Sequence, residues 1–127
     1  MSNLSKIKAV IVDDSDFARS VIKKMLLQES IDVIGEANGG EQALLLIKEK
    51  KPNVVITDIV MPEMSGIELT EKISEKFDDV FVIVISSLTQ EHVVLEAITA
   101  GACDFIPKPI QKQQLIDSLD KIGSQIQ

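Results

Sequence analysis

Two short runs constrain this chain more than anything else in it: Ile7–Val12 (IKAVIV) and Val80–Ser86 (VFVIVIS). Successive side chains of a strand point to opposite faces, and here both alternating sets are largely apolar. Such a segment is stable only when both faces are covered, so it belongs inside a sheet with a layer on each side. Asn53–Thr57 (NVVIT) is also rich in Val and Ile, while Asp32–Ala37 (DVIGEA) is half polar and Cys103–Ile106 (CDFI) is short. Between these runs the apolar residues take a helical period. In Ser15–Glu29 the stripe is Ala18, Val21, Ile22, Met25 and Leu26, with Arg19, Lys23 and Lys24 off it. In Gln111–Ile126 it is Leu115, Ile116, Leu119, Ile122 and Ile126. Glu41–Lys50, Gly66–Lys76 and Gln90–Ala100 are the other expected helices. Ser15 and Ser65 suit helix starts, and Pro52 and Gly101 follow helix ends.

Five βα units in succession predict an α/β fold: a doubly wound, five-stranded parallel sheet with right-handed crossovers and helices on both faces. No linker, repeat or low-complexity stretch divides residues 1–127, which read as one domain. The net charge of -7 disfavours a broad grip on nucleic acid or on an anionic membrane surface. One cysteine, Cys103, and one histidine, His92, exclude an internal disulfide and a Cys/His metal cluster. Met1–Lys8 has no apolar core, so no signal peptide is expected, and no run is long enough for a membrane helix. The expected compartment is a reducing cytoplasm.

In such sheets ligands sit outside the carboxyl ends of the strands. Asp13 and Asp14 follow the first run, Asp58 ends the third, Ser86 and Ser87 end the fourth, and Lys108 and Pro109 follow the fifth. Behind Asp32–Ala37 come Asn38, Gly39 and Gly40, residue types that suit a turn. Three close carboxylates cannot all ionise unless a cation offsets them. An oxygen-only acidic set suits Mg²⁺. A carboxylate can also attack phosphorus, giving an aspartyl phosphate that needs positive charge around it. Lys108 supplies such charge, and Ser86 could bind a phosphoryl oxygen.

Each position also has a plainer reading. Asp13 and Asp14 would serve as acids near a helix start, Asp58 as a turn residue, Ser86 and especially Ser87 as caps, and Lys108 as a solvated loop lysine. The coincidence of five positions at one sheet edge favours the chemical reading. Cys103 is expected to pack at the start of the last strand, His92 to lie at the surface, and Met61 and Met64 to pack around Pro62. Val93, Val94, Leu95, Ala97 and Ile98 are more apolar surface than one short helix buries. Part of it is a candidate docking face together with the last strand and helix.

The strings VDDS (Val12–Ser15), VVITDIVMPEMSGIEL (Val54–Leu69), the pair Ile85–Ser86 and GACDFIPKP (Gly101–Pro109) resemble the receiver domain of bacterial response regulators over essentially the whole chain. In appearance the chain is most similar to stand-alone chemotaxis regulators of the CheY type. The resemblance implies a flavodoxin-like sheet of order 2-1-3-4-5. It implies that Asp58 is the phosphoacceptor, and that Mg²⁺ is held by Asp14 directly, by Asp13 largely through water, by Asp58 and by the backbone carbonyl of Val60. Lys108 would pair with the acceptor and then the phosphoryl group, and the Lys108–Pro109 bond would be cis. Ser86 would be the switch hydroxyl and Phe105 the switch aromatic. It further implies a monomeric signalling switch rather than an enzyme, with a histidine kinase upstream. A protein target, a motor switch or a kinase, would dock on the face of the fourth helix, fifth strand and fifth helix. The sequence carries no effector segment after the last helix, so output is expected to pass through another protein unless this is a fragment of a longer chain. The alternative within the family is a single-domain relay intermediate or phosphate sink outside chemotaxis.

Two departures from well-known members stand out. Phe105 replaces a frequent tyrosine, and Val60 and Leu88 flank the site where others carry polar side chains. A small-molecule aspartyl-phosphate phosphatase is disfavoured because the position two residues after Asp58 is Val60, not an acid. A flavin or nucleotide carrier would need a Gly/Ser/Thr-rich loop where Asp13 and Asp14 stand. A degenerate receiver is disfavoured because every acidic, hydroxyl and lysine position is filled.

Overall fold

In the computed structural model, which describes residues 2–127, the two doubly apolar runs become the central strands. β1 (Lys8–Val12) and β4 (Phe81–Ser86) flank β3 (Val54–Asp58), and all three are buried along nearly their whole length. β2 (Asp32–Ala37), the half-polar run, is an edge strand beside β1, and the four-residue β5 (Asp104–Pro107) is the other edge. The order is β2-β1-β3-β4-β5 with every pairing parallel. This is the expected flavodoxin-like receiver fold.

Alternation sorts the core by face. Val10, Val12, Val55, Val82 and Val84 pack beneath α2 (Gly40–Lys50), α3 (Gly66–Lys76) and α4 (Glu91–Ala100). Ile11, Ile56, Ile83, Ile85 and Ile106 pack beneath α1 (Asp16–Gln28) and α5 (Lys112–Gly123). The smaller side chain lies under three helices, and the larger fills the space under two.

The Ser15 and Ser65 hydroxyls accept the amides of Ala18 and Glu68, both at 3.1 Å, and so start α1 and α3. Gly101 ends α4 at φ 117°, a left-handed conformation that glycine adopts without strain. Three expectations need correction. Ser87 caps nothing: α4 starts at Glu91 with Gln90 in the cap position, and Ser87 is exposed. α5 stops at Gly123, because the chain turns at Ser124 and brings a half-buried Ile126 back onto the core. Cys103 lies exposed, one residue before β5, although its amide donates to the Val82 carbonyl at 2.8 Å. Its thiol is pushed up to about 11 by partial burial and then by the Asp104 carboxylate, so it carries almost no reactive thiolate. A short helical turn at Asn3–Lys6, unexpected from the sequence, packs against α5 at the opposite end of the sheet. No helix among the described residues is long and apolar enough to cross a membrane.

Candidate functional site

Strand register alone assembles the rim. Val12 is paired with Thr57, so the next residues, Asp13 and Asp58, leave adjacent strands side by side. Asp58 is paired with Ile85, and Ser86 with Pro107, so Ser86 and Lys108 follow one step further across. Because β1 lies between β2 and β3, this is also where the strand order reverses.

Asp13, Asp14 and Asp58 each bring a carboxylate oxygen within 4.8 Å of the others. Asp13 is buried, Asp14 exposed and Asp58 between the two. Both oxygens of Asp58 are engaged. The Ile59 amide donates to Oδ1 at 2.7 Å and the Lys108 ammonium to Oδ2 at 3.0 Å. Lys108 also lies 3.6 Å from Asp13 Oδ2. The Ser15 amide donates to Asp13 Oδ1 at 2.9 Å. Burial pushes the Asp13 carboxyl above the ordinary carboxylate range, with the charges of Asp58 and Asp14 adding to it, against the Ser15 amide and Lys108. Burial works against the Lys108 charge too, but the hydrogen bond and charge of Asp58, then Asp13, outweigh it and hold Lys108 above the usual lysine range.

Three carboxylates against one ammonium leave the rim short of positive charge. An oxygen-only set this close suits a hard divalent cation such as Mg²⁺, so the donors fit the expected metal. The Lys108–Pro109 bond is cis. Ser86 is fully buried at the rim, and its hydroxyl accepts the Leu88 amide at 3.0 Å. Phe105 is half-buried against the α4 side of the core. Val60 is 60% exposed beside the site and Leu88 is 37% exposed.

One contributor escaped the sequence reading, and a second was read there only as part of a motif and the start of a helix. Arg19, set off the apolar stripe of α1, is not solvated: its side chain is only 14% exposed. It donates to the Asp13 carbonyl at 2.6 Å, pairs with Asp16, and lies 3.5 Å from Glu36 on β2. Its position four residues past Ser15, one helical turn, is the only sequence hint that it could reach back. The second is Gly66. A Cβ there would collide with the carbonyl of Asp58. The Gly66 amide donates to the Ile59 carbonyl at 2.8 Å, so this glycine sets how closely α3 approaches Asp58.

Residues 9–120 match the family described as the response regulator receiver domain. The chain belongs to that family. It is 40% identical over 116 residues to the chemotaxis protein CheY of Thermotoga maritima, covering 91% of this chain and 97% of that one. Its fold is similar to the CheX–CheY–BeF3–Mg complex from Borrelia burgdorferi, with TM-score 0.87 and 30% identity over 91% of this chain and 88% of that one. It also matches the response regulator domain of Thermotoga maritima CheB, with TM-score 0.84 and 35% identity over 93% and 96% of the two chains. As a receiver domain the protein is a phosphorylation-activated response regulator, a signalling switch, and its acidic rim has the makings of a metal site.

Proposed function

We propose that this regulator works in chemotaxis signalling, accepting one phosphoryl group on Asp58 from a histidine kinase and passing the signal to a protein target. The observation that carries the reading is the contact of one ammonium, Lys108, with one of three carboxylates gathered within 4.8 Å. Supporting it are the relatives named as chemotaxis proteins and the CheY relative whose complex contains BeF3 and Mg.

Asp13, Asp14, Asp58 and the Val60 carbonyl would hold Mg²⁺, which supplies positive charge against the negative charge spreading over the transferred group. An Asp58 oxygen attacks phosphorus as the bond to the donor breaks, leaving an acyl phosphate. The Ile59 amide keeps the carboxylate from rotating. Lys108 then transfers its hydrogen bond from the carboxylate to a phosphoryl oxygen. The new dianion draws the Ser86 hydroxyl away from the Leu88 amide, which loosens the start of α4. Phe105 turns into the space this opens, changing the α4–β5–α5 face where the target, a motor switch or a kinase, would dock. Shifting such an equilibrium from 1:99 to 99:1 takes about 5.5 kcal/mol, the scale of a few charge-assisted hydrogen bonds. The switch acts as a monomer and catalyses nothing beyond its own phosphorylation and dephosphorylation.

A small-molecule phosphodonor with Mg²⁺ should add one phosphoryl group by intact mass, and Asp58→Asn should abolish the addition. Wild-type protein that binds Mg²⁺ yet gains no mass would sink this function.

A further inference from the structure

The exposed apolar surface of α4 extends to the side that faces α3. At about 100° per residue, Val93, Ala97 and Ala100 define the buried side of the helix. Val94 and Ile98 then fall on one flank, toward β5. Thr99 falls on the other, and with Leu95, nearly opposite the buried side, it lines a groove of about 550 Å³ between α3 and α4. Leu95 is 57% exposed there. Ile67 supplies apolar wall from α3. At the far end the Ser74 hydroxyl donates to the Ala100 carbonyl at 2.9 Å and ties the two helices together.

The rim of this groove is acidic on both walls: Glu71 and Glu75 from α3 and Glu96 from α4. All three are exposed, and none makes an ion pair among the described residues. α4 contains no Lys or Arg to offset them, and neither Lys72 nor Lys76 of α3 lines the groove. The α1 side differs, since Arg19, Lys23 and Lys112 there pair with Asp16, Glu36 and Glu29.

We propose that the α3–α4 groove is a second docking site, distinct from the α4–β5–α5 face, and that its occupant is a basic amphipathic helix of a partner protein. An apolar side chain of that helix would sit on Leu95 and Ile67, while Lys or Arg one turn away on either side would meet Glu71, Glu75 and Glu96. The groove lies between two helices and exposes no strand edge, so an added β-strand has no ladder to join. Two docking sites on opposite flanks of α4 would let one partner bind while another reads the switch face.

The test uses a synthetic amphipathic peptide of roughly 16 residues, with leucines on one face and lysines and arginines beside them, and amide-shift mapping on the whole protein. Shifts should centre on Ile67, Ser74, Leu95 and Thr99. Glu71→Gln, Glu75→Gln and Glu96→Gln combined should weaken binding at least about fivefold. Glu41→Gln, Glu49→Gln and Asp78→Asn combined remove the same charge elsewhere and should leave binding nearly unchanged. Leu95→Ser should weaken it without moving the Mg²⁺ affinity. Equal losses in the two triple variants would show general attraction to an acidic protein and overturn the proposal. So would shifts centred on Val94, Ile98 and Phe105, or no binding at all.

Discussion

At the end of β3 both oxygens of Asp58 are held, one by the Ile59 amide and one by Lys108, and Arg19 and Gly66 brace the backbone on either side. At the end of β4, one strand across, Ser86 is more deeply buried but makes its side-chain bond to the loop that leads into α4. Beyond it Ser87, Leu88, Thr89 and Gln90 are exposed, and α4 begins without a side-chain cap. The proposed acceptor is held at both oxygens, whereas the proposed reporting element hangs from one hydroxyl. A switch needs this inequality: chemistry requires a rigid site, and signalling requires a neighbour that a few hydrogen bonds can move.

The braced side should break hardest. Gly66→Ala puts a methyl group against the Asp58 carbonyl and the Ile59 backbone, which no side-chain rotation relieves. It should cost about 2 kcal/mol or more in urea unfolding and weaken Mg²⁺ binding as Asp58 is displaced. A stable Gly66→Ala protein with unchanged Mg²⁺ affinity would show that the close approach of α3 does not set the acceptor.

The braced side is also held against its own charge. Asp13 titrates above its ordinary value in the folded chain because of burial and then the neighbouring carboxylates. The folded state therefore binds that proton more readily than the unfolded one. The Asp13 contribution to stability is greatest below the ordinary carboxylate value, is lost as pH rises through the raised one, and stays absent above it. Asp13→Asn keeps an oxygen for the Ser15 amide but removes the charge. In metal-free protein it should raise stability near neutral pH by about 1 kcal/mol, the common scale for one substitution, and lose that advantage in acid. The same variant should bind Mg²⁺ poorly. Thermal melts at several pH values, with and without Mg²⁺, separate the two effects.

The doubly apolar runs made the sheet legible, because only central strands need apolar residues on both faces. Once the sheet was placed, register brought Asp13, Asp58 and Lys108 together without further assumption. The contacts around them were less visible. Arg19 reads as a polar helix residue, and its partners are a backbone carbonyl and an acid on another strand, neither of which leaves a local pattern. Ser87 was a plausible cap, but the chain runs three more residues before turning into α4. Leu95 was countable as surplus apolar surface, yet which flank it served depended on where α3 packed.

The loose side should yield with less damage. Ser86→Ala removes the acceptor of the Leu88 amide and should cost about 1 kcal/mol. Amide exchange should quicken through the loop and the first turn of α4, while Mg²⁺ affinity holds, because this hydroxyl does not touch the acidic cluster. Lost Mg²⁺ binding would mean that the two sides are one unit and that the contrast between them is wrong.

The smallest effects belong where the two sides meet. Val60 and Leu88 lie in the β3–α3 and β4–α4 loops next to the proposed acceptor, and neither side chain can hold a water for attack on the acyl phosphate. Val60→Asn and Leu88→Glu should leave stability and Mg²⁺ affinity unchanged but speed loss of the phosphoryl group by a few-fold to about tenfold, short of what a well-placed general base supplies. Decay of phosphorylated protein in the absence of partners measures this directly. If both variants decay at the wild-type rate, the lifetime is set by the fixed groups, Asp58 and Lys108, and the apolar flanks serve packing alone.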